Sequence, residues 1–439
     1  MAVIPPTDAE EDRSGLLRLA VAGLVVGALA GLVGTAFHLV VDRADALRDA
    51  MVAWSWNAPW IGWIAPVGLA AAAAFMARWL VRRFAPETSG SGVQHVEAVI
   101  RGDAHAVNAA VLPVKFVGGT LALGAGFALG REGPTVQMSA TIGDLAARRF
   151  RLGAADARVL LAAGAGAGLA AAFNAPLAGA VFVLEELVRR FELRIAVATL
   201  AACSAALAVM RALIGNRLVF TVPAIEVDLF PGYLMFLVFG AFMGLLGVGY
   251  NRAIVAAIDL VERNRASPEL RAAAVGAIVG LVAYFAPVLV GGGEWQIQGV
   301  LDGGHSTAAL AVLFLARVVL GPLSYAPGLP GGLFAPLLVV GATAGVLFGR
   351  SAETIYPLLT TPMIGFAAVG MGALFVAVVR APVTGIALVV EMTGATTLFV
   401  PLLTACAAAA AVPTALGERP IYDTLRDRDA RRQTPPTRD

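Results

Sequence analysis

The sequence predicts an all-α protein that crosses a membrane many times. Three observations carry this reading. Of 439 residues, 59% are hydrophobic and only 14% are charged, and mean hydropathy is +0.80; a soluble chain of this size needs more charge on its surface. Apolar stretches near the spanning length of about 20 residues recur along the chain. The alternating pattern of a membrane β-barrel is not seen.

The first apolar run, Leu16 to Val41, follows MAVIPPTDAEEDRSG. A signal peptide would show a basic start, a shorter apolar region and a small-residue cleavage site, so this run reads as a retained first helix. The second, from about Trp60 to Ala77, ends in Arg78, Arg82 and Arg83, which places that end in the cytoplasm by the positive-inside tendency. Further apolar segments lie near 107–129, 158–184, 195–214, 230–257, 271–291, 307–323, 331–349, 362–379 and 383–413. Their uneven lengths and internal Gly and Pro predict broken or tilted helices. The tail from Arg419 to Asp439 holds six arginines. It reads as cytoplasmic and too short for a folded regulatory domain. The expected organisation is a cytoplasmic segment over 1–15, a membrane domain over 16–418 and a cytoplasmic tail over 419–439, in an inner or plasma membrane.

A formal charge of +2 gives no reason to expect a nucleic-acid partner. Cys203 and Cys406 lack CxxC spacing and read as small buried residues. His38, His95, His105 and His305 show no metal-ligand spacing, so no metal is expected.

Two pairs of segments resemble each other. Gly130-Arg-Glu-Gly-Pro134 and Gly332-Leu-Phe-Ala-Pro336 share the form GxxxP, and Ala140, Gly143 and Arg148 match Ala342, Gly345 and Arg350 in the same register. Further on, APLAGAVFVLEE from Ala175 resembles APVTGIALVVEM from Ala381, pairing Gly179 with Gly385 and Glu185 with Glu391. This predicts two homologous halves, about 60–215 and 230–418. Corresponding Gly/Pro-interrupted segments in two halves point to a mid-membrane binding site.

Proline is at home in the first turn of a helix, so Pro134 and Pro336 mark helix starts. Each start leaves backbone N–H groups without intrahelical partners and carries roughly half a positive charge. Buried in a membrane, such a start favours an anion. A third segment, TSGSGVQHVEAV from Thr88, places Gly90-Ser91-Gly92 before a helical pattern. Alone it is weak; with the other two it suggests a convergent site for a small monovalent anion, held by dipoles rather than trapped by full charges. Glu132 sits where that anion would be held. Its carboxylate can compete for the site, and protonation removes its reason to stay, so it is expected to gate. Lys115, the sole lysine, and Arg131 could raise local anion concentration; a structural partner for either is equally consistent with the sequence.

These residues resemble the CLC family of chloride channels and proton/chloride antiporters, of prokaryotic type. Gly90-Ser-Gly-Val-Gln94 is similar to GSGxP, Gly130-Arg-Glu-Gly-Pro134 to G(K/R)EGP, and Gly332-Leu-Phe-Ala-Pro336 to GxFxP. VLPVKFVGGT, AAFNAPLAGAVFVLEEL and RAPVTGIALVVEMTG extend the likeness. The resemblance implies inverted-repeat halves and a homodimer in the lipid bilayer, with an anion pathway in each subunit and no cofactor beyond bound chloride ions. It implies that Ser91 and Tyr422 offer hydroxyls to a central anion, and that the backbone of Leu333 and Phe334 completes that site. Gly130, Arg131 and Gly133 would line an outer site, Glu132 would be the gating glutamate, and Glu186 would transfer protons. Glu391 is expected to be structural. Gln94 departs from the family's proline, which touches fine selectivity. Ser91 favours chloride over the nitrate- and fluoride-preferring branches.

The leading expectation is therefore a secondary active transporter exchanging chloride for protons. The alternative is a passive voltage- or proton-gated chloride channel on the same scaffold. An enzyme is not expected: no HExxH occurs, and no serine–histidine pair has the setting of an intramembrane protease. Nor does a P-loop appear.

Overall fold

The computed structural model describes residues 7–58, 60–104, 108–216, 218–222, 230–355 and 362–433. His105 and the two chain ends of the expected terminal segments lie outside them. The described residues form 17 α-helices. The first half runs through α1 (Thr7–Ser55), α2 (Ile64–Phe84), α3 (Val93–Arg101), α4 (Val111–Gly124), α5 (Glu132–Arg149), α6 (Ala154–Phe173), α7 (Pro176–Phe182) and α8 (Leu193–Ile214). The second contains α9 (Phe230–Arg263), α10 (Pro268–Phe285), α11 (Glu294–Asp302), α12 (Thr307–Tyr325), α13 (Phe334–Ile355), α14 (Met363–Val379), α15 (Pro382–Thr393), α16 (Phe399–Ala415) and α17 (Ile421–Gln433). Among the described residues, nine helices are long and apolar enough to cross a membrane. The protein is all-α and polytopic.

Several boundaries differ from those read off hydropathy. The first helix runs from Thr7 to Ser55, past Val41 and through Asp42, Arg43, Asp45, Arg48 and Asp49. Arg48 pairs with Asp45 and Asp49, so charge continues the helix instead of ending it. Helix α1 also takes in residues 7–15, part of the expected N-terminal segment. The run 158–184 is two helices. Asn174 closes α6 in the left-handed region (φ 52), and Pro176 opens α7. The run 383–413 also breaks, at Gly394 (φ 69) after α15. Arg380 (φ 72) ends α14, and Pro382 opens α15. Both proline corners turn the chain without straining the proline, because its missing N–H is unpaired in a first turn anyway. The tail does not hang free: α17 docks on the membrane domain, with Ile421 and Tyr422 fully buried.

Small residues let the helices close on one another. On α1, Gly23, Gly27 and Gly31 face Ala198, Ala202 and Ala206 of α8, and a Cβ on Gly27 would collide with the Ala202 backbone. Such stripes drive packing where lipid supplies no hydrophobic force between helices. Helices α6 and α14 are apolar on every side, as buried helices are; every residue from Val159 to Phe173 and from Gly365 to Val379 is buried. Each packs against a GxxxP helix, α6 on α5 and α14 on α13.

The short helices α7 and α15 cap each other reciprocally. Glu391, near the end of α15, accepts from Leu177 N and Ala178 N at 3.0 and 2.7 Å. Glu185, just beyond α7, accepts from Val383 N and Thr384 N at 3.0 and 2.7 Å. Each carboxylate satisfies otherwise unpaired amides at a positive helix end.

Candidate anion and proton site

The three glycine motifs meet at one point. Gly130 N donates to Gly332 O at 2.9 Å and Gly332 N returns a bond to Gly130 O at 2.7 Å, so the second and third motifs pair backbone to backbone. A Cβ on Gly133 would meet Ser91 Oγ at 2.6 Å, Ser91 O at 2.8 Å and Gly332 Cα at 3.0 Å. Residues from all three motifs thus lie within one side chain's width. Glycine is required there because only bare backbone fits that approach.

Helices begin where the motifs predict. Helix α3 starts at Val93, after Gly92 in the left-handed region (φ 84). Helices α5 and α13 start at Glu132 and Phe334, two residues before each motif proline. Their N-terminal turns are buried: Glu132 is 1% exposed, Leu333 0% and Phe334 1%. Unpaired amides at these starts have no bulk water to turn to.

Glu132 takes them. Its Oε1 accepts from Phe334 N at 2.7 Å and from Ala335 N at 3.4 Å. The donating amides are those of Phe334, one of the expected pair, and of Ala335. The carboxylate of one GxxxP helix fills the helix start of the other, as an anion would.

Ser91 and Tyr422 are both fully buried. The two hydroxyls interact with each other and neither oxygen has a further hydrogen-bond partner in the protein, a shortfall that buried polar atoms rarely hold without purpose. The Tyr422 ring lies 6.1 Å from that of Phe334. Phe334 is further fixed by Phe375, Phe182 and Phe173, with centroids at 4.7, 5.8 and 6.4 Å. Helix α17 thus delivers Tyr422 to the wall that α13 begins.

Two cations have structural partners. Lys115 Nζ donates to Thr88 O and Gly90 O at 2.9 and 2.7 Å, fixing the loop before Ser91. Arg131 lies 2.6 Å from Glu294 and 3.7 Å from Asp42; it shares a cavity with Gly130, Asp42, Glu294 and Ala335. Gln94 lines a separate cavity with Arg78, Ser89, Gly90 and Tyr325.

Glu186 lies apart from the motif cluster, 3% exposed, in a π-helical turn over Val183–Leu187. It lines a surface cavity with Glu185, Arg189 and Arg380. The two adjacent glutamates diverge: Glu185 caps α15, while Glu186 faces Arg189 at 3.5 Å.

The sequence pattern missed Tyr325. Its hydroxyl accepts from Ser91 N at 3.2 Å, holding the serine loop from the other half of the chain. A tyrosine before a turn carries no signal of that contact. Glu294, which holds Arg131, was equally silent.

A family model described as voltage gated chloride channel matches residues 72–414. The chain belongs to that family. Among its relatives, the H(+)/Cl(-) exchange transporter ClcA of Vibrio parahaemolyticus is 41% identical over 413 residues, covering 91% of this chain and 87% of the relative. The protein of the same name from Vibrio cholerae is 40% identical over 422 residues, covering 93% and 89%. Among solved structures, a slow cyanobacterial Cl-/H+ antiporter superposes with TM-score 0.91 at 32% identity, covering 95% of this chain and 99% of that one. A CLC-type fluoride/proton antiporter gives 0.78 at 23% identity, covering 93% and 97%, a likeness of fold alone. The voltage gated chloride channel family thus accounts for the resemblance of the three motifs.

Proposed function

We infer that this chain is a secondary active transporter that exchanges chloride for protons. The observation that carries the reading is the bond from Phe334 N to Glu132 Oε1. The names of its relatives and of the cyanobacterial neighbour support it.

The cycle follows from competition for one set of amides. Ionised Glu132 occupies the start of α13 and excludes chloride. Protonation removes the charge that the amides favour, and the side chain leaves. Chloride then takes the amides of Phe334 and its neighbours, Leu333 among them, with the Ser91 and Tyr422 hydroxyls as further donors. The backbone from Gly130 to Gly133 lines the outer position, while Arg131, paired to acids, shapes the outer mouth. Returning Glu132 expels chloride and gives up its proton, so one side chain ties the two ions together.

Glu186 passes protons between the cytoplasm and the interior. Its cavity opens on the side of α17, and the arginines of α2 and of the tail support a cytoplasmic reading of that side. Both termini are then cytoplasmic, in an inner or plasma membrane. The matching corners at Asn174–Pro176 and Arg380–Pro382, and the exchanged caps, support two inverted-repeat halves. We further assign a homodimer with one pathway per subunit, and no cofactor beyond the transported chloride ions.

The reversal potential of purified protein in a planar bilayer tests this reading. Coupled exchange predicts that a pH gradient at symmetrical chloride displaces it from zero. A potential that follows chloride alone would select the passive channel.

A further inference from the structure

Glu186 belongs to a charge cluster whose other members the exchange cycle leaves without a task, and Arg189 stands at its centre. Arg189 follows the π-helical turn and holds φ 56, a conformation uncommon for residues with a side chain. From there its Nη2 lies 3.5 Å from Glu186 Oε1, 3.3 Å from Glu97 Oε1 on α3 and 2.8 Å from Asp423 Oδ1 on α17. Its Nη1 donates to Asp423 Oδ2 at 3.2 Å, and its Nε to the Glu186 carbonyl at 3.2 Å. Glu97 is fully buried and also meets Arg101 and Arg426, each at 2.6 Å. Arg426 reaches Asp423 at 3.1 Å. The other charges facing this cavity are engaged elsewhere. Glu185 caps α15, Arg190 pairs with Glu192, and Arg380 donates to Glu418 O.

With Glu186 ionised, three carboxylates (Glu97, Glu186, Asp423) face three guanidinium groups (Arg101, Arg189, Arg426), while Asp427, 4.0 Å from Arg426, is balanced by Arg419 at 2.7 Å. Protonating Glu186 leaves one positive charge in excess, and Arg189 is the guanidinium that Glu186 touches. Arg189 then has only Glu97 and Asp423 to hold. Asp423 is the residue after Tyr422, so the grip of Arg189 on α17 is a grip on the anion site's hydroxyl.

We propose that Arg189 is a positioning residue linking the proton on Glu186 to the seating of Tyr422. The proposal rests on the reading of Glu186 as the inner proton carrier.

The test measures proton and chloride fluxes against pH in proteoliposomes of the full chain carrying Arg189→Gln, Arg189→Lys, Asp423→Asn or Glu186→Gln. Losing a cation beside a carboxylate favours its protonated form. Arg189→Gln should therefore move the proton-flux profile to higher pH by about one unit and raise the chloride-to-proton ratio. Asp423→Asn removes a competing acid and turns Arg189 fully onto Glu186 and Glu97, so its profile should move to lower pH. Arg189→Lys should restore part of the wild-type profile. An unchanged Arg189→Gln profile, or the same direction of shift for Arg189→Gln and Asp423→Asn, overturns the proposal. If Arg189→Gln does not fold, the opposed shifts of Arg189→Lys and Asp423→Asn carry the same decision. Glu186→Gln is read separately: full proton flux there overturns the carrier role itself, whereas its loss with an unmoved Arg189→Gln profile overturns only the role of Arg189.

Discussion

Glu132 Oε1 lies 2.7 Å from the backbone nitrogen of Phe334, although the two residues are 202 positions apart in the chain. Each opens its own helix, and each follows the glycine of its motif by two residues. The carboxylate of one repeat segment is therefore the counter-anion of the other. Replacing Glu132 with Gln removes the charge and the titrating proton together. Proton flux should fall to the leak of empty liposomes while chloride flux persists, as read by paired pH and chloride electrodes.

The two buried hydroxyls give a second test. If Ser91 and Tyr422 donate to a bound chloride, each is a hydrogen bond to a charged partner, worth about 1.5 kcal/mol or more. Ser91→Ala and Tyr422→Phe should each weaken chloride binding by roughly tenfold, measurable by calorimetry on the purified protein. Unchanged affinity in both would remove the hydroxyls from the site.

Lys115 is expected to matter for stability more than for conduction. Its ammonium is the partner of two buried carbonyls, Thr88 O and Gly90 O. Lys115→Met leaves Thr88 O without a donor, at about 1–3 kcal/mol, and leaves Gly90 O with Gly331 N as its donor. Thermal unfolding in detergent should show a clear fall in Tm.

The reciprocal caps separate structure from transport. Glu391→Ala strips two amides at the start of α7 and should cost about 1–2 kcal/mol, as lost caps do. The proton-to-chloride ratio should stay at the wild-type value, because Glu391 holds α7 and contacts neither Glu132 nor Glu186 in any hydrogen bond. Proteoliposome fluxes on the variant decide this.

The contribution of Asp423 to the docking of α17 should resist mild acid. Burial by itself would raise the Asp423 carboxyl, but the hydrogen bond and charge of Arg189, then the charges of Arg426 and Arg101, outweigh it and hold the group below 3.8. A depressed carboxylate contributes in full above its unfolded value near 3.9 and loses that contribution as pH falls through its folded value. The part of tail protection that Asp423 supplies, read as the difference in limited proteolysis between wild type and Asp423→Asn, should therefore stay constant from neutral pH to about pH 4 and fall only below it.

The helix starts at the three motifs were legible because glycine and proline act through the backbone, where sequence and geometry are tightly linked. The break at Asn174–Pro176 was harder to see, since hydropathy runs through it and only the left-handed Asn174 turns the chain. Tyr422 was found through family likeness alone; nothing in its local pattern marks a residue delivered from a docked C-terminal helix. Arg189, Glu97 and Tyr325 were not legible at all. Their meaning comes from long-range contacts, and a single arginine in a basic turn looks the same whether it faces water or three buried acids.

The central claim is that Glu132 makes chloride and proton share one path. The most direct measurement imposes an outward chloride gradient on proteoliposomes with voltage clamped against passive proton leak, and follows external pH. The account predicts proton movement against its own gradient with the wild-type protein, lost with Glu132→Gln. Chloride flux without any proton movement in the wild type would contradict it.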